Sequence, residues 1–285
     1  MLRALAIVAV VCGLARVAAA QDAFEIQVYD SETAPPRDFG LEVHLNYVAS
    51  PDPISHFTLE PHVGLASWCE AGAYFQTALL PDGTFDYAGV KLRLKTRIPR
   101  KVAHGLVGLA LNGELSAVPR RFEETGLGGE LRPIVDVTWW RLYASVNPII
   151  GFDFFGADAG HPQLEPAATL LFSFVEGFAM GVEYYASLGP IDRPLPASAE
   201  VHRLFGVATV VYKWFGVHVG AGYGFVAGEK WIAKAILSFD LTPPRRHRDP
   251  VLVLYLVRFC QAWMYFDARL RIRIDQFPYT ARLCS

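Results

Sequence analysis

Past residue 20 the sequence lacks any apolar run of about 18 residues, the length a membrane-crossing helix needs. Cysteine is also scarce. Of the four, Cys12 falls in the leader, leaving Cys69, Cys260 and Cys284, an odd number at spacings that make no disulfide framework. No CxxC and no paired-histidine spacing is present, which argues against a structural zinc. There is no GxSxG turn of the kind that presents a hydrolase serine. A basic excess is missing too. Residues 21–241 hold 16 Lys and Arg against 25 Asp and Glu, a net of −9, which argues against nucleic acid as a partner.

Apolar residues are nonetheless abundant, at 52% of the 285 residues, with a mean hydropathy of +0.25. High apolarity without a membrane helix leaves a large buried core or a barrel with lipid outside. The start of the chain has the form of a secretory signal. "MLR" gives the positive end, "ALAIVAVVCGLA" the apolar stretch, and "AAAQ" a small-residue cleavage site after Ala20. Val10 and Val11 stand before Cys12 where a lipoprotein signal has a small residue. The expectation is export, with residues 1–20 removed.

Period-two alternation fills nearly all of residues 39–240. In "FGLEVHLNYV", Phe39, Leu41, Val43, Leu45 and Tyr47 share one face, and Glu42, His44 and Asn46 the other. Twelve such segments are predicted, at roughly 39–49, 56–65, 68–79, 85–98, 103–118, 127–138, 141–153, 162–174, 176–188, 200–212, 214–226 and 229–240. Most are longer than the ~5–6 residues of ordinary strands and match the ~9–11 tilted residues that cross a bilayer. Short connections alternate with longer ones, as short periplasmic turns alternate with external loops in outer-membrane barrels. The connection after the eleventh segment is the exception, short where a long one is expected. Trp68, Trp139, Trp140 and Trp214 all fall at the short turns, where amphipathic rings would form a periplasmic-side girdle.

The last segment ends on Phe239, similar to the terminal assembly signal of bacterial outer-membrane barrels. Yet the chain runs on, and its last 44 residues hold 8 Arg and 3 Asp. This tail, 242–285, is atypical and is expected to be an artefactual or non-essential extension. The fold class expected is therefore an all-β, antiparallel transmembrane barrel of about 12 strands. The expected division is a signal peptide at 1–20, an N-terminal periplasmic segment at 21–38, the barrel at 39–241 and the tail. The piece before the barrel, "DAFEIQVYDSETAPPRD", would lie against the periplasmic mouth or enter the lumen.

A barrel turns one face of each segment into lumen. The lumen-lining residues expected to meet solutes are Glu42, His44, Glu60, His62, Glu70, Gln76, Lys91, Arg93, Lys95, Arg97, Glu114, Glu130, Arg132, Glu165 and Glu183. Lys91, Arg93, Lys95 and Arg97 form a ladder that either attracts anions or is neutralised by neighbouring carboxylates in a narrow lumen. No catalytic residue is expected, because no histidine can be placed beside Ser145. No cofactor or metal is expected either: Glu42, His44, Glu60 and His62 could converge, but their spacing is merely that of alternation. "LEP" at 59–61 and 164–166 and "LRP" at 131–133 put a lumenal charge beside an outward proline. A proline cannot donate to a ladder, so a bulge or loosened pairing is predicted in the outer half of the wall, with Pro148 nearly opposite Pro166.

"AFEIQVYD", "LEPHVGL", "EAGAYFQTALLPDGTFDYAGVKLRLK", "ELRPIV", "NPIIG" and "GVEYYASLGP" resemble a group of proteobacterial outer-membrane proteins. These are related to the barrels named for the meta-pathway of phenol degradation. The resemblance covers roughly residues 23–240 and implies an outer-membrane barrel, a channel for small or hydrophobic compounds. The function expected is a passive channel or transporter for small solutes in the outer membrane, with outer-membrane lipid and the assembly machinery as partners. The alternatives are a closed structural or surface-binding barrel and, less favoured, a barrel-embedded hydrolase.

Overall fold

The computed structural model describes residues 23–49, 53–99, 106–122, 126–228 and 230–242. The leader and the basic tail lie outside them. The twelve alternating segments become twelve strands: β1 (Phe39–Val48), β2 (Ile54–Ala66), β3 (Cys69–Leu79), β4 (Phe85–Ile98), β5 (Val107–Ala117), β6 (Leu127–Trp139), β7 (Leu142–Asp153), β8 (Gln163–Val175), β9 (Phe178–Ser187), β10 (Val201–Tyr212), β11 (Phe215–Gly224) and β12 (Trp231–Asp240). Every neighbour pair is antiparallel and β1 closes on β12, from Gly40 opposite Asp240 to Val48 opposite Ile232. Closure leaves no unpaired strand edge, which a wall facing hydrocarbon requires.

Alternation sets what each face meets. On β4, Lys91, Arg93 and Lys95 are buried inside, while Leu92 and Leu94 are 60% and 48% exposed outside. Charges inward and leucines outward invert a soluble core, and the inversion is what lipid selects. Trp68, Trp139, Trp140 and Trp214 are all exposed at the short turns. Trp140 packs edge-on against Phe172, and Trp214 stacks on Phe239, so the expected girdle has aromatic neighbours.

Two boundary expectations are corrected. The connection from β11 to β12 spans residues 225–230 and is not short, so the alternation of loop lengths has no exception there. Trp231 begins β12, and Gly228 with a φ of 78° turns the chain before it, so part of the apparent alternation in 225–230 is loop. The segment expected from 103 begins at Val107, and residues 100–105 lie outside the described part.

The prolines break pairing as predicted, but not all at the predicted depth. The β2–β3 register passes from Leu59–Phe75 to His62–Gly72, leaving out Glu60 and Pro61. The β6–β7 register passes from Leu131–Ile150 to Val135–Val146, leaving out Pro133 and Pro148. Pro148 and Pro166 face each other directly in β7–β8. Pro133 lies where expected in β6, which begins at Leu127, and Pro166 lies near the outer end of β8, whereas Pro61 lies near mid-height because β2 begins at Ile54, earlier than its alternation implied.

Of the two placements expected for the piece before the barrel, the structure has the one inside the lumen, for residues 23–38. They run through the lumen from its outer end, where Phe24 packs against Ala78, Ala88 and Phe122, to the inner end, where Pro36 bridges Gly64. The chain then turns into β1 through Arg37, at a φ of 69°. Gly64 makes this approach possible: a Cβ there would come within 2.0 Å of the Pro35 carbonyl oxygen. Gly64→Ala is therefore expected to push the inner end of the segment off the wall, read as faster proteolysis near residue 35 with the barrel's heat-modifiable gel migration retained.

Candidate functional site

The site is the lumen together with the segment it holds. The segment makes no regular ladder with the wall, so its backbone groups need other partners. Inward side chains supply them. Asn46 Nδ2 donates to the Ala23 carbonyl at 2.9 Å, Thr58 Oγ1 to that of Phe24 at 3.0 Å and Lys234 Nζ to that of Ile26 at 2.9 Å. Ser145 Oγ donates to the Tyr29 carbonyl at 2.6 Å, while the Tyr29 amide donates to Asn147 Oδ1 at 2.7 Å. The amides of Ser31 and Ala34 donate to Asp136 and Glu70, each at 2.6 Å.

Side chains of the segment complete the arrangement. Glu25 lies 3.4 Å from Arg132 and 3.9 Å from Lys91, and Asp30 lies 3.4 Å from Lys95. Glu32 pairs with Arg97. Tyr29 meets Tyr74 hydroxyl to hydroxyl, and the Arg132 guanidinium sits 4.2 Å from its ring centre. Wall carboxylates take the remaining charge. Arg93 bridges Glu60 and Glu70, at 2.7 Å each, and Lys91 lies 4.0 Å from Glu114. All four cations of β4 thus face a carboxylate, and three of the four face one carried by the segment.

The opposite half of the lumen mixes an apolar cluster with the buried polar groups of Glu183, Arg203 and Lys234. Ile149, Ala167, Phe205, Val207 and Ile232 form one buried cluster with Ile26 of the segment, and Val28 packs against it. The side chains of Glu25 and Tyr29 therefore meet charge and those of Ile26 and Val28 meet hydrocarbon, which follows from the alternation of "FEIQVYD".

The fifteen lumenal residues expected from alternation all lie on the inward face, and the charged ones fall into groups. Arg132 bonds Glu130 at 2.5 Å. Glu183 holds His218 at 3.1 Å and also Lys234. Glu165 accepts from Ser187 at 3.4 Å near the outer mouth. Gln76 is fully buried. His62 stands apart, its ring over Gly40. Ser145, the one serine weighed as a nucleophile, has its hydroxyl committed to a backbone carbonyl, and His44 and His218 point to carboxylates elsewhere.

Four important residues were missed. Lys234 and Arg203 occupy inward positions of β12 and β10 and are buried; parity would have found both. Glu25 and Tyr29 carried no comparable signal, since nothing in a short alternating stretch before a proline pair fixes where it lies.

At the outer end, His161 Nδ1 lies 2.7 Å from Asp192, joining the loop after β7 to the loop after β9. That hydrogen bond holds the Asp192 carboxyl below the usual carboxylate range. The bond therefore stabilises this loop pairing above the ordinary carboxylate pKa and is lost as pH falls through the lowered one.

No family model and no curated relative matches the sequence. Solved structures do match. The COG4313 outer membrane channel from Pseudomonas putida F1 aligns at a TM-score of 0.53 and 10% identity, over 75% of this chain and 99% of that one. A KdgM porin aligns at 0.53 and 7%, over 71% and 99%, and a NanC porin at 0.53 and 9%, over 70% and 100%. At such identities the likeness is one of fold: this chain has the closed antiparallel twelve-strand architecture of outer-membrane barrels.

Proposed function

We propose that this protein is an outer-membrane channel for small solutes, held closed by its own N-terminal segment. One observation carries the reading. The wall closes from β1 to β12 without the segment, and the segment is held in the lumen by hydrogen bonds and ion pairs that water and salt can replace. Removing it would leave a continuous barrel whose charged β4 side faces a wall where an apolar cluster adjoins Glu183, Arg203 and Lys234. Solutes would enter past the outer loops and cross beside the β4 cations, where the loss of Glu25, Asp30 and Glu32 from the lumen would favour anions. The channel and porin neighbours support the fold needed for this passage. Ser145, bonded to the Tyr29 carbonyl, supports transport over hydrolysis.

The test is conductance in planar bilayers. The full barrel is expected to show small or rare openings, and the protein lacking residues 23–35 large and persistent ones. Replacing Lys91, Arg93 and Lys95 by Gln in the shortened protein should move its selectivity toward cations. Silence from the shortened protein, folded by its gel migration, would instead establish a closed structural barrel.

A further inference from the structure

The geometry points to a divalent-metal site of the zinc class in the lumen, built from Glu42, His44 and Glu60 and completed by Gln27 of the segment. Glu42 and His44 are alternate residues of β1, and Glu60 is the register partner of Glu42 on β2. Their donor atoms all lie within 4.8 Å of one another. His44 Nε2 is 3.0 Å from Glu60 Oε2 and 3.6 Å from Glu42 Oε2. A tetrahedral ion at metal–ligand distances near 2.1 Å sets its donors about 3.4 Å apart, so these separations already fit one.

Hydrogen bonding alone serves the cluster poorly. Nε2 carries at most one proton and can donate it to only one of the two carboxylates. The bonded one is Glu60, which also has Arg93 at 2.7 Å on its other oxygen. That contact fixes Oε1 and leaves Oε2 turned to the ring, the role an outer partner plays for a ligating carboxylate. Among the described residues Glu42 accepts from neutral donors, Gln27 Nε2 at 3.2 Å and Ser238 Oγ at 3.3 Å. That amide is itself incompletely bonded. Gln27 Oε1 is buried with no partner, although its own nitrogen touches the Glu42 oxygen that faces His44. Turning the amide over would offer Oε1 as a fourth ligand, and which atom is oxygen is fixed only by its partners. Two carboxylates, an imidazole and an amide oxygen suit a borderline dication.

The ring proton would sit on Nδ1, which is buried and has no partner. The site is therefore about 10–100-fold weaker than one whose histidine has an outer acceptor. Because Gln27 belongs to the segment, bound metal ties the segment to β1 and β2 near mid-height in the lumen. This consequence for gating rests on the channel reading above, whereas the binding itself does not.

The experiment is titration of the full folded protein in detergent with Co2+, followed by its visible absorption, and with Zn2+ in competition. One ion per chain is expected, with intense four-coordinate absorption. His44→Gln and Glu42→Gln should each abolish it, and Gln27→Ala should weaken binding roughly tenfold. Absorption absent from the wild type, or unchanged in His44→Gln with normal gel migration, overturns the site. Binding unaltered in Gln27→Ala overturns the tie to the segment. In bilayers, saturating Zn2+ should suppress openings of the wild type at least tenfold and leave the protein lacking residues 23–35 open. If metal binds as described while the shortened protein never conducts, the channel reading alone has failed.

Discussion

Arg132→Met is expected to destabilise the folded barrel by about 3–5 kcal/mol, the cost of removing one partner from a buried charge group. Arg132 is 1% exposed. It bonds Glu130 at 2.5 Å, faces Glu25 at 3.4 Å, donates to the Gln27 carbonyl at 3.3 Å and covers the Tyr29 ring. Its loss leaves Glu130 uncompensated and takes three contacts from the segment at once. Urea unfolding in lipid vesicles, followed by tryptophan fluorescence, measures the change. The double variant Glu130→Gln with Arg132→Met should recover part of the loss, since it no longer buries an unpaired carboxylate beside the methionine. In bilayers the single variant should also open more often than the wild type. A loss below ~1 kcal/mol, too small for a broken buried charge group, together with unchanged openings, would mean that the segment is held chiefly by its apolar face.

Leu92→Arg has the second large effect, and it separates lipid from water. Leu92 is 60% exposed near the middle of β4. In water a leucine so exposed accepts arginine with a change within about 0.5 kcal/mol. Facing the bilayer midplane, the same substitution costs about 2–4 kcal/mol. The reading is the stability of protein refolded into vesicles, with Arg97→Leu at the inner end of the same strand as a control on the opposite face. A neutral Leu92→Arg would contradict a lipid-facing wall.

The strands were legible because alternation is a local property. On β4 parity assigns the faces from Val90 onward, but it flips at Gly89, whose φ of 127° marks a bulge where the β3–β4 register shifts, so Ala88 and Lys91 are both buried inside. Loop positions were less secure. Residues 225–230 continue the alternation of β11 in composition yet turn away at Gly228, where backbone conformation decides and residue type does not.

The lumenal groups were visible as a list and not as a site. Parity places Glu42, His44, Glu60 and His62 inward alike. Only the β1–β2 register brings three of them within ligand distance and leaves His62 over Gly40. The four cations of β4 were equally visible, but the carboxylates of Glu25, Asp30 and Glu32 that answer Lys91, Lys95 and Arg97 come from a segment inside the lumen that precedes β1.

The sequence by itself determined a closed antiparallel wall, its lipid and lumen faces, its aromatic girdle and the proline breaks in pairing. All of these are written in residue type at fixed short spacings. Only the tertiary structure decided that residues 23–38 run through the lumen, because their polar backbone is satisfied by side chains from distant strands and no local pattern encodes that match. It also decided that the β4 charges are answered from inside the lumen, since ion pairing depends on distances across the barrel and those exist only once β1 has met β12.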